Sequence, residues 1–498
     1  MCLRSLRVAT TWYSANVRPQ CRSSGTAAAD ADSVSVDFGR EPLRKSQHQN
    51  IGPFSVTSGR RIPLATLISA ALPLDPGSSA LERFQSVRST TLRLAAPLSP
   101  EDAMVQSMPD ASPAKWHMAH TTWFFETFLL TPRLAGYRAF DPAYRLLFNS
   151  YYKSLGGHPI RQQRGTFSRP SLENVLQYRE HVDEAMQRLL SQEQPAELLD
   201  LIELGLHHEQ QHQELILTDI LHAFWTQPLR PTYASASSPI GAEQPSSPQP
   251  LHWVSHAGGM VEIGAPNAGF AFDNERPRHP VFLQPFRLAS RLATNSEYLD
   301  FIRDDGYTRP ELWLSDGWDT VCREGWRAPF YWENSGRDKG DEAWQEFTLH
   351  GLIPLRPAAP VAHLSYYEAD AFARWSRARL PLEGEWELAA AGRPIEGSNL
   401  LERWALAPLP VKSAEQSQSQ LFGDLWEWTA SAYLAYPGFR PAAGAVGEYN
   451  GKFMCNQFVL RGGSFATSAS HIRHSYRNFF PPHARWQFMG VRLASHER

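Results

Sequence analysis

The segment PAELLDLIELGLHHEQQHQEL, residues 195–215, decides how the chain is read. Pro195 opens it, Leu198, Leu201, Leu204 and Leu215 recur at helical spacing, and His208 and His212 fall in the same register. At ~100° per residue, side chains four positions apart stand about 40° from each other, so both imidazoles share the leucine face and point into a helical core. An i,i+4 histidine pair is common on solvated helices; the apolar face is what turns this one toward metal binding. A second histidine-bearing helix, Trp116-His117-Met118-Ala119-His120, supplies the further imidazole of a three-nitrogen site with open positions. Neutral imidazole suits Fe, Zn, Cu and Ni, and open positions serve catalysis rather than structure. Spacing alone leaves His117 and His120 as alternatives for the third ligand. His207 reads as a neighbour, and Glu209 and Glu214 read as ordinary solvated helix charges.

Helical periodicity extends on either side of this segment, from about Ser79 to Thr226. Earlier helices fit Ser79–Leu94 and Pro113–Leu130. Ser171, after Pro170, is a plausible N-cap for a run carrying Leu172, Val175, Leu176, Val182, Met186, Leu189 and Leu190. Four helices with modest connections predict a four-helix bundle over residues 78–232. Residues 233–250 (YASASSPIGAEQPSSPQP) are rich in Pro and Ser and read as a linker. Over 251–498 short apolar runs, many Gly and Pro, and dense tryptophans replace the long helical periods. An α+β domain is expected there, with helices near Ser365–Arg379 and Glu383–Ala391. Residues 1–77 lack sustained periodicity, and no acidic residue occurs in the first 29. They read as a disordered extension or a mis-assigned start, with a transit peptide as the other reading.

At 498 residues the chain exceeds what one compact core accommodates. A formal net charge of −3 gives no basis for a nucleic-acid or membrane surface. No apolar run approaches the ~20 residues of a spanning helix. Cys2, Cys21, Cys322 and Cys455 are far apart and show no metal-type or redox-type pairing. A reducing, cytoplasmic setting is expected.

Trp116-x-x-x-His120 with His208-x-x-x-His212-x-Glu214 resembles the iron-binding pattern of the ergothioneine-biosynthesis sulfoxide synthases. Those enzymes join a DinB-like helical bundle to an α+β domain of the formylglycine-generating-enzyme type, with a C-type-lectin-like fold. The resemblance continues through Phe272-Asp273-Asn274-Glu275-Arg276-Pro277-x-His279, Thr294-Asn295-x-Glu297-Tyr298 and Leu380-Pro381-x-Glu383-x-Glu385-Trp386-Glu387. It resumes at Gly423-Asp424-Leu425-Trp426-Glu427-Trp428-Thr429, then at Leu460-Arg461-Gly462-Gly463-Ser464-Phe465 and Gly490-Val491-Arg492. It spans about residues 80 to 498. It implies Fe(II) held by His120, His208 and His212. The implied substrates are hercynine (Nα-trimethylhistidine), a cysteine-containing thiol and O2, giving a carbon–sulfur bond and a sulfoxide.

The resemblance also assigns roles. Phe148-Asn149-Ser150-Tyr151-Tyr152 resembles the tandem tyrosines of the subgroup that uses free cysteine, making Tyr151 and Tyr152 the catalytic candidates. A phenol near the metal can give up a proton or a hydrogen atom. In Arg477-Asn478-Phe479-Phe480, Phe480 stands where users of gamma-glutamylcysteine carry an acid. Gln211, Asn478 and Phe479 match positions that contact hercynine, and a Phe479 ring face attracts a trimethylammonium group. Arg161 and Arg164 are candidates for the cysteine carboxylate. Formylglycine generation fails on inventory, because no cysteine follows Ser464. Ovothiol-type synthesis is the nearer rival. Its enzymes often carry a C-terminal methyltransferase, and this chain ends at Arg498, which favours hercynine. A non-catalytic lectin-like module is the third reading, and it expects no bound iron.

Overall fold

The computed structural model describes residues 78–150, 152, 156–157, 159–234, 247–334, 344–411, 418–441, 447 and 450–496. The 1–77 extension, residues 235–246 of the Pro/Ser-rich stretch, and Tyr151 lie outside the described residues.

Four long helices form the first part: Ala80–Ala95, Ala114–Phe125, Leu172–Leu190 and Ala196–Thr226. Local chemistry sets their starts. Ser79 accepts from the Glu82 backbone N–H while the Glu82 carboxylate accepts from that of Ser79, and Ser171 and Asn174 repeat the arrangement. Pro113 and Pro195 precede the other two, where the first turn needs no intrahelical N–H. Ala114–Phe125 is buried on every side and runs into a π turn over Glu126–Leu130. Glu126 fills that turn, accepting from the hydroxyls of Tyr137 (2.6 Å) and Tyr178 (2.7 Å).

The last helix runs to Thr226, well beyond the leucine pattern that announces it. Ile216, Leu217, Ile220, Leu221 and Phe224 are buried in its second half. Leu201, Leu204 and Leu215, by contrast, are only half-buried. The face shared with His208 and His212 therefore borders open space rather than a closed core. Tyr233 follows as a packed residue, donating its hydroxyl to the Leu94 carbonyl at 2.6 Å.

The second part is α+β, as the sequence predicts. Its central sheet runs Asn478–Phe480, Phe458–Arg461, Trp426–Ala432, Met489–Gly490, with the last pair parallel. Trp253–His256, Phe286–Ala289 and Ala494–His496 form a three-stranded antiparallel sheet, and Trp332–Asn334, Trp344–Thr348 and Gly351–Pro354 form another. The helices Tyr366–Trp375 and Glu383–Ala390 sit where two were expected. Ion pairs lock the sequence motifs together: Arg492 forks onto Glu427 through two 2.8 Å bonds, and Arg461 meets Glu387 at 2.8 Å. These residues are buried and structural. One hydrophobic core continues from the bundle into this part through Leu292, Tyr331, Phe347, Leu425, Phe465 and Phe488. No described helix is long and apolar enough to cross a membrane.

Candidate metal centre

The Ala114–Phe125 and Ala196–Thr226 helices meet at Gly205. A Cβ there would lie 2.8 Å from both the Phe124 and the Phe125 ring, so only glycine permits this approach. One turn further on, His208 and His212 face His120. The ring centroids form a triangle of 5.0, 4.9 and 4.7 Å, and one nitrogen from each ring lies within 4.8 Å of the other two. Among the described residues this is the one cluster of three or more His, Cys, Asp or Glu side chains with metal-holding geometry.

Hydrogen bonds select the ligating nitrogens. His120 Nδ1 donates to the Phe148 carbonyl at 2.6 Å, which leaves Nε2 with its lone pair. His212 Nδ1 lies 2.7 Å from His117 Nδ1, and His117 Nε2 lies 3.1 Å from Asp219 Oδ2. A carboxylate only accepts, so His117 carries its proton on Nε2 and accepts from His212 through Nδ1. His212 is thereby fixed with Nε2 open to a metal, a carboxylate–histidine–histidine chain of the kind that orients metal ligands. His117 thus supports His212, and it is His120 that completes the cluster. Burial lowers the pKa of His120 and His212 well below the usual histidine range and that of His208 to about 4. All three are neutral donors, the form a metal requires.

Two carboxylates on the same helix correct the reading of solvated charges. Glu209 is fully buried, accepting from Arg88 (2.8 Å), Arg179 (3.0 Å) and Thr91 (2.6 Å). Burial alone would push its carboxyl up, but the two guanidiniums outweigh it and hold the pKa at about 2. Glu214 accepts from Trp426 Nε1 (2.8 Å), Ser464 Oγ (2.6 Å) and Thr467 Oγ1 (2.8 Å). It ties the helix to the Arg-Gly-Gly-Ser loop, and burial raises its pKa. Asp219 escaped sequence reading too. It stands seven residues after His212 on the same helix face, a spacing that would have flagged it.

Of two cavities in this region, the larger has His208 of the triad in its wall and the smaller has none of the three. The larger, about 760 Å³, lies between the helices and the second part, with His208, Tyr152, Phe124 and Leu204 on one wall and Phe270 and Asp273 on the other. Tyr152 is buried against Trp123 (5.5 Å) and Phe128 (5.2 Å). The smaller, about 280 Å³, brings together Arg161, Gln211, Asn478 and Phe479, four candidate residues from three separate stretches of the sequence. Phe272 and Asn450 line both. Asn478 Oδ1 accepts from the Phe479 N–H at 2.9 Å, and Phe479 stacks on Tyr433 at 4.0 Å. Arg161 also donates to the Asp110 carbonyl. Arg164 is buried and is not among the residues lining this cavity. Its guanidinium lies 3.4 Å above the Trp116 ring and donates to Ser112 Oγ (3.0 Å) and Ser150 Oγ (2.9 Å).

Comparison with known proteins gives two family matches: the DinB superfamily over residues 83–216, and the sulfatase-modifying factor enzyme 1-like domain over residues 241–407 and 402–497. Among curated relatives, the hercynine oxygenase of Mycobacterium tuberculosis is 35% identical over 311 residues, covering 58% of this chain and 70% of that protein. The hercynine oxygenase of Mycolicibacterium thermoresistibile is 32% identical over 442 residues, covering 82% and 92%. Ergothioneine biosynthesis protein 1 of Schizosaccharomyces pombe is 28% identical over 238 residues, covering 45% of this chain and 27% of that one.

Proposed function

The chain belongs to the hercynine oxygenase family, and from that premise we propose that it is a non-haem Fe(II)- and O2-dependent oxidoreductase joining cysteine to hercynine, giving hercynylcysteine sulfoxide in ergothioneine biosynthesis. The imidazole C–H and the thiol S–H are lost and a C–S bond forms, which yields two electrons. Oxidation of sulfur yields two more. These four electrons reduce O2 to the sulfoxide oxygen and one water, which carries off both protons.

The observation that carries this reading is the convergence of three neutral imidazoles, one of which, His208, opens onto the larger cavity. The donor set fits a ferrous ion: three nitrogens, two of them fixed in tautomer by Phe148 and His117, with no anionic ligand among the described residues. The chemistry iron supplies when bound there is thiol deprotonation, proximity of the two reactants and activation of O2.

The rest falls to the chain. In this reading Gln211, Asn478 and Phe479 hold hercynine in the smaller cavity, the Phe479–Tyr433 stack offering a π face to the trimethylammonium group. Arg161, on the same wall, takes the cysteine carboxylate. Arg164, whose guanidinium also donates to Ser112 and Ser150, stays beside Arg161 as a candidate for that carboxylate. Tyr152, with Tyr151 beside it in sequence, holds or moves the proton during oxidation, from the wall it shares with His208. The thiol-rich chemistry suits a cytoplasmic setting, as do the exposed thiols of Cys322 and Cys455.

Anaerobic loading with Fe(II), then addition of O2, cysteine and hercynine with products identified by mass spectrometry, tests the proposal. Hercynylcysteine sulfoxide is expected, with gamma-glutamylcysteine a poor donor and histidine a poor acceptor. Preference for histidine would indicate ovothiol-type chemistry. Absence of iron binding and of O2 uptake would leave a lectin-like binding protein. Tyr152→Phe should slow sulfoxide formation or divert turnover to thiol oxidation, and an unchanged rate and product would remove Tyr152 from the chemistry.

A further inference from the structure

A buried ion cluster lies behind the metal site. Glu209 follows His208 on the Ala196–Thr226 helix, and its carboxylate is enclosed by donors. Oε2 accepts from Arg88 at 2.8 Å, and Oε1 accepts from Arg179 at 3.0 Å and from Thr91 at 2.6 Å. Both arginines reach on to the helix that carries His120. Arg88 donates to Thr122 Oγ1 at 3.0 Å, and Arg179 donates to the Met118 carbonyl at 3.1 Å. The Thr122 hydroxyl donates in turn to that same carbonyl at 2.7 Å. Met118 and Thr122 stand two positions before and two after His120. The helical turn that holds one imidazole is thus gripped by the counter-ions of the residue next to another.

Glu209, Arg88, Arg179 and Thr122 are all buried. Asp183 completes the cluster, accepting from Arg88 Nε at 2.7 Å, and its side chain is 22% exposed. Two guanidiniums and two carboxylates balance in charge. Such a cluster is a poor source of stability, because desolvation offsets most of the attraction and apolar side chains of similar volume often serve as well. What it supplies is position. A buried guanidinium moved out of line leaves an N–H without an acceptor, so the network tolerates one arrangement of the helices it joins.

We infer that Glu209 is a positioning residue for the metal centre: through Arg88 and Arg179 it fixes the two helices that carry His120 and His208 against each other, and so sets the geometry the imidazoles offer an ion. Gly205 lets these helices approach, and the ion cluster determines the register in which they meet. The inference rests on His120, His208 and His212 being ligands of one ion.

The test titrates the full chain anaerobically with Co(II), reading affinity together with the visible absorption of the bound ion, which reports ligand geometry rather than folding. Glu209→Gln keeps the size of the side chain but leaves two buried guanidiniums facing a neutral amide. It should raise the Co(II) Kd about tenfold and shift the absorption. Thr122→Val keeps every charge and removes only the Arg88 anchor beside His120. It should shift the absorption and raise the Kd roughly threefold, and it carries the test if Glu209→Gln yields no folded protein. Asp183→Asn is the control for loosening of the bundle. It removes the carboxylate that meets Arg88 from the Leu172–Leu190 helix, where water can take its place. It should leave the Kd within about twofold and the absorption unmoved, whatever its effect on unfolding in urea. Wild-type affinity and absorption in both Glu209→Gln and Thr122→Val overturn the inference and leave the ligand assignment standing. An equal change in Asp183→Asn also overturns it, since the effect is then general loosening. A wild-type protein that binds no Co(II) overturns the ligand assignment, and the inference with it.

Discussion

Replacing Asp219 by asparagine changes one oxygen, two residues removed through space from the metal site, and should weaken metal binding. Asp219 Oδ2 accepts from His117 Nε2 at 3.1 Å and from the Ser112 N–H at 2.7 Å, and His117 Nδ1 meets His212 Nδ1 at 2.7 Å. An asparagine that keeps its oxygen toward Ser112 and His117 preserves the tautomers but loses the charge behind them. One that turns its NH2 toward His117 puts the His117 proton on Nδ1, and His212 must then carry its own on Nε2, the atom a metal needs. Supports of this type are worth roughly 10- to 100-fold in metal affinity, or about 1.4–2.7 kcal/mol. Anaerobic titration with Fe(II), and with Co(II) read by its visible absorption, measures the loss directly and independently of turnover. His117→Phe should reproduce it. If both variants bind metal within twofold of the wild type while circular dichroism shows them folded, the chain through His117 does not orient the ligand and the tautomer reasoning is wrong.

His208→Ala and His212→Ala should each abolish stoichiometric iron binding and turnover while the protein stays folded, and full activity with one equivalent of iron would dismiss the ligand assignment. Gly205→Ala should destabilise by about 1–3 kcal/mol in urea and weaken metal binding, because its methyl group meets two immobile rings at 2.8 Å; unchanged stability would mean the helices part at no cost. Asp424→Asn tests a buried charge. Burial pushes this carboxyl up from 3.8 to about 6, its backbone is left-handed (φ 55°), and Oδ1 already serves Leu409 N–H and Asn399 Nδ2. A raised folded pKa means stability present at low pH and lost as pH rises through about 6. The variant should therefore match the wild type below pH ~4 and exceed it above pH ~6 by at most about 3 kcal/mol. A pH-independent difference in chemical unfolding would show that Asp424 is not the titrating group.

The histidine pair was legible because its signal is local: four residues of helix put two rings on one side, and nothing in the second part is needed to see it. His120 against His117 was not legible from spacing, since both lie on one helix, and only the motif resemblance picked His120; in the structure the bond from His120 to the Phe148 carbonyl and the chain from His117 to Asp219 separate them. Glu209 and Glu214 were misread for a different reason. Polar residues on a helix are assigned to water by default, and the arginines that claim Glu209 come from helices 121 and 30 residues away in sequence. The partners of Glu214 lie 212 to 253 residues distant. The cavity residues Asn478 and Phe479 were found through motif resemblance.

The Ala196–Thr226 helix shows why such a site resists periodicity. Within seven residues it sends Glu209 back to the Ala80–Ala95 and Leu172–Leu190 helices, His208 and His212 to the triad, and Gln210, Gln211 and Glu214 to the second part. With ~100° between successive residues, these point to every side, so within this stretch no solvent face remains. Such a helix gains little from its own propensity; its position is set by the charges and hydrogen bonds that claim each side. A metal triad on a helix clamped in this way is held in register by both parts of the chain at once. The same clamping brings the wall of the smaller cavity, carried by the second part, to a fixed position against the histidines carried by the first.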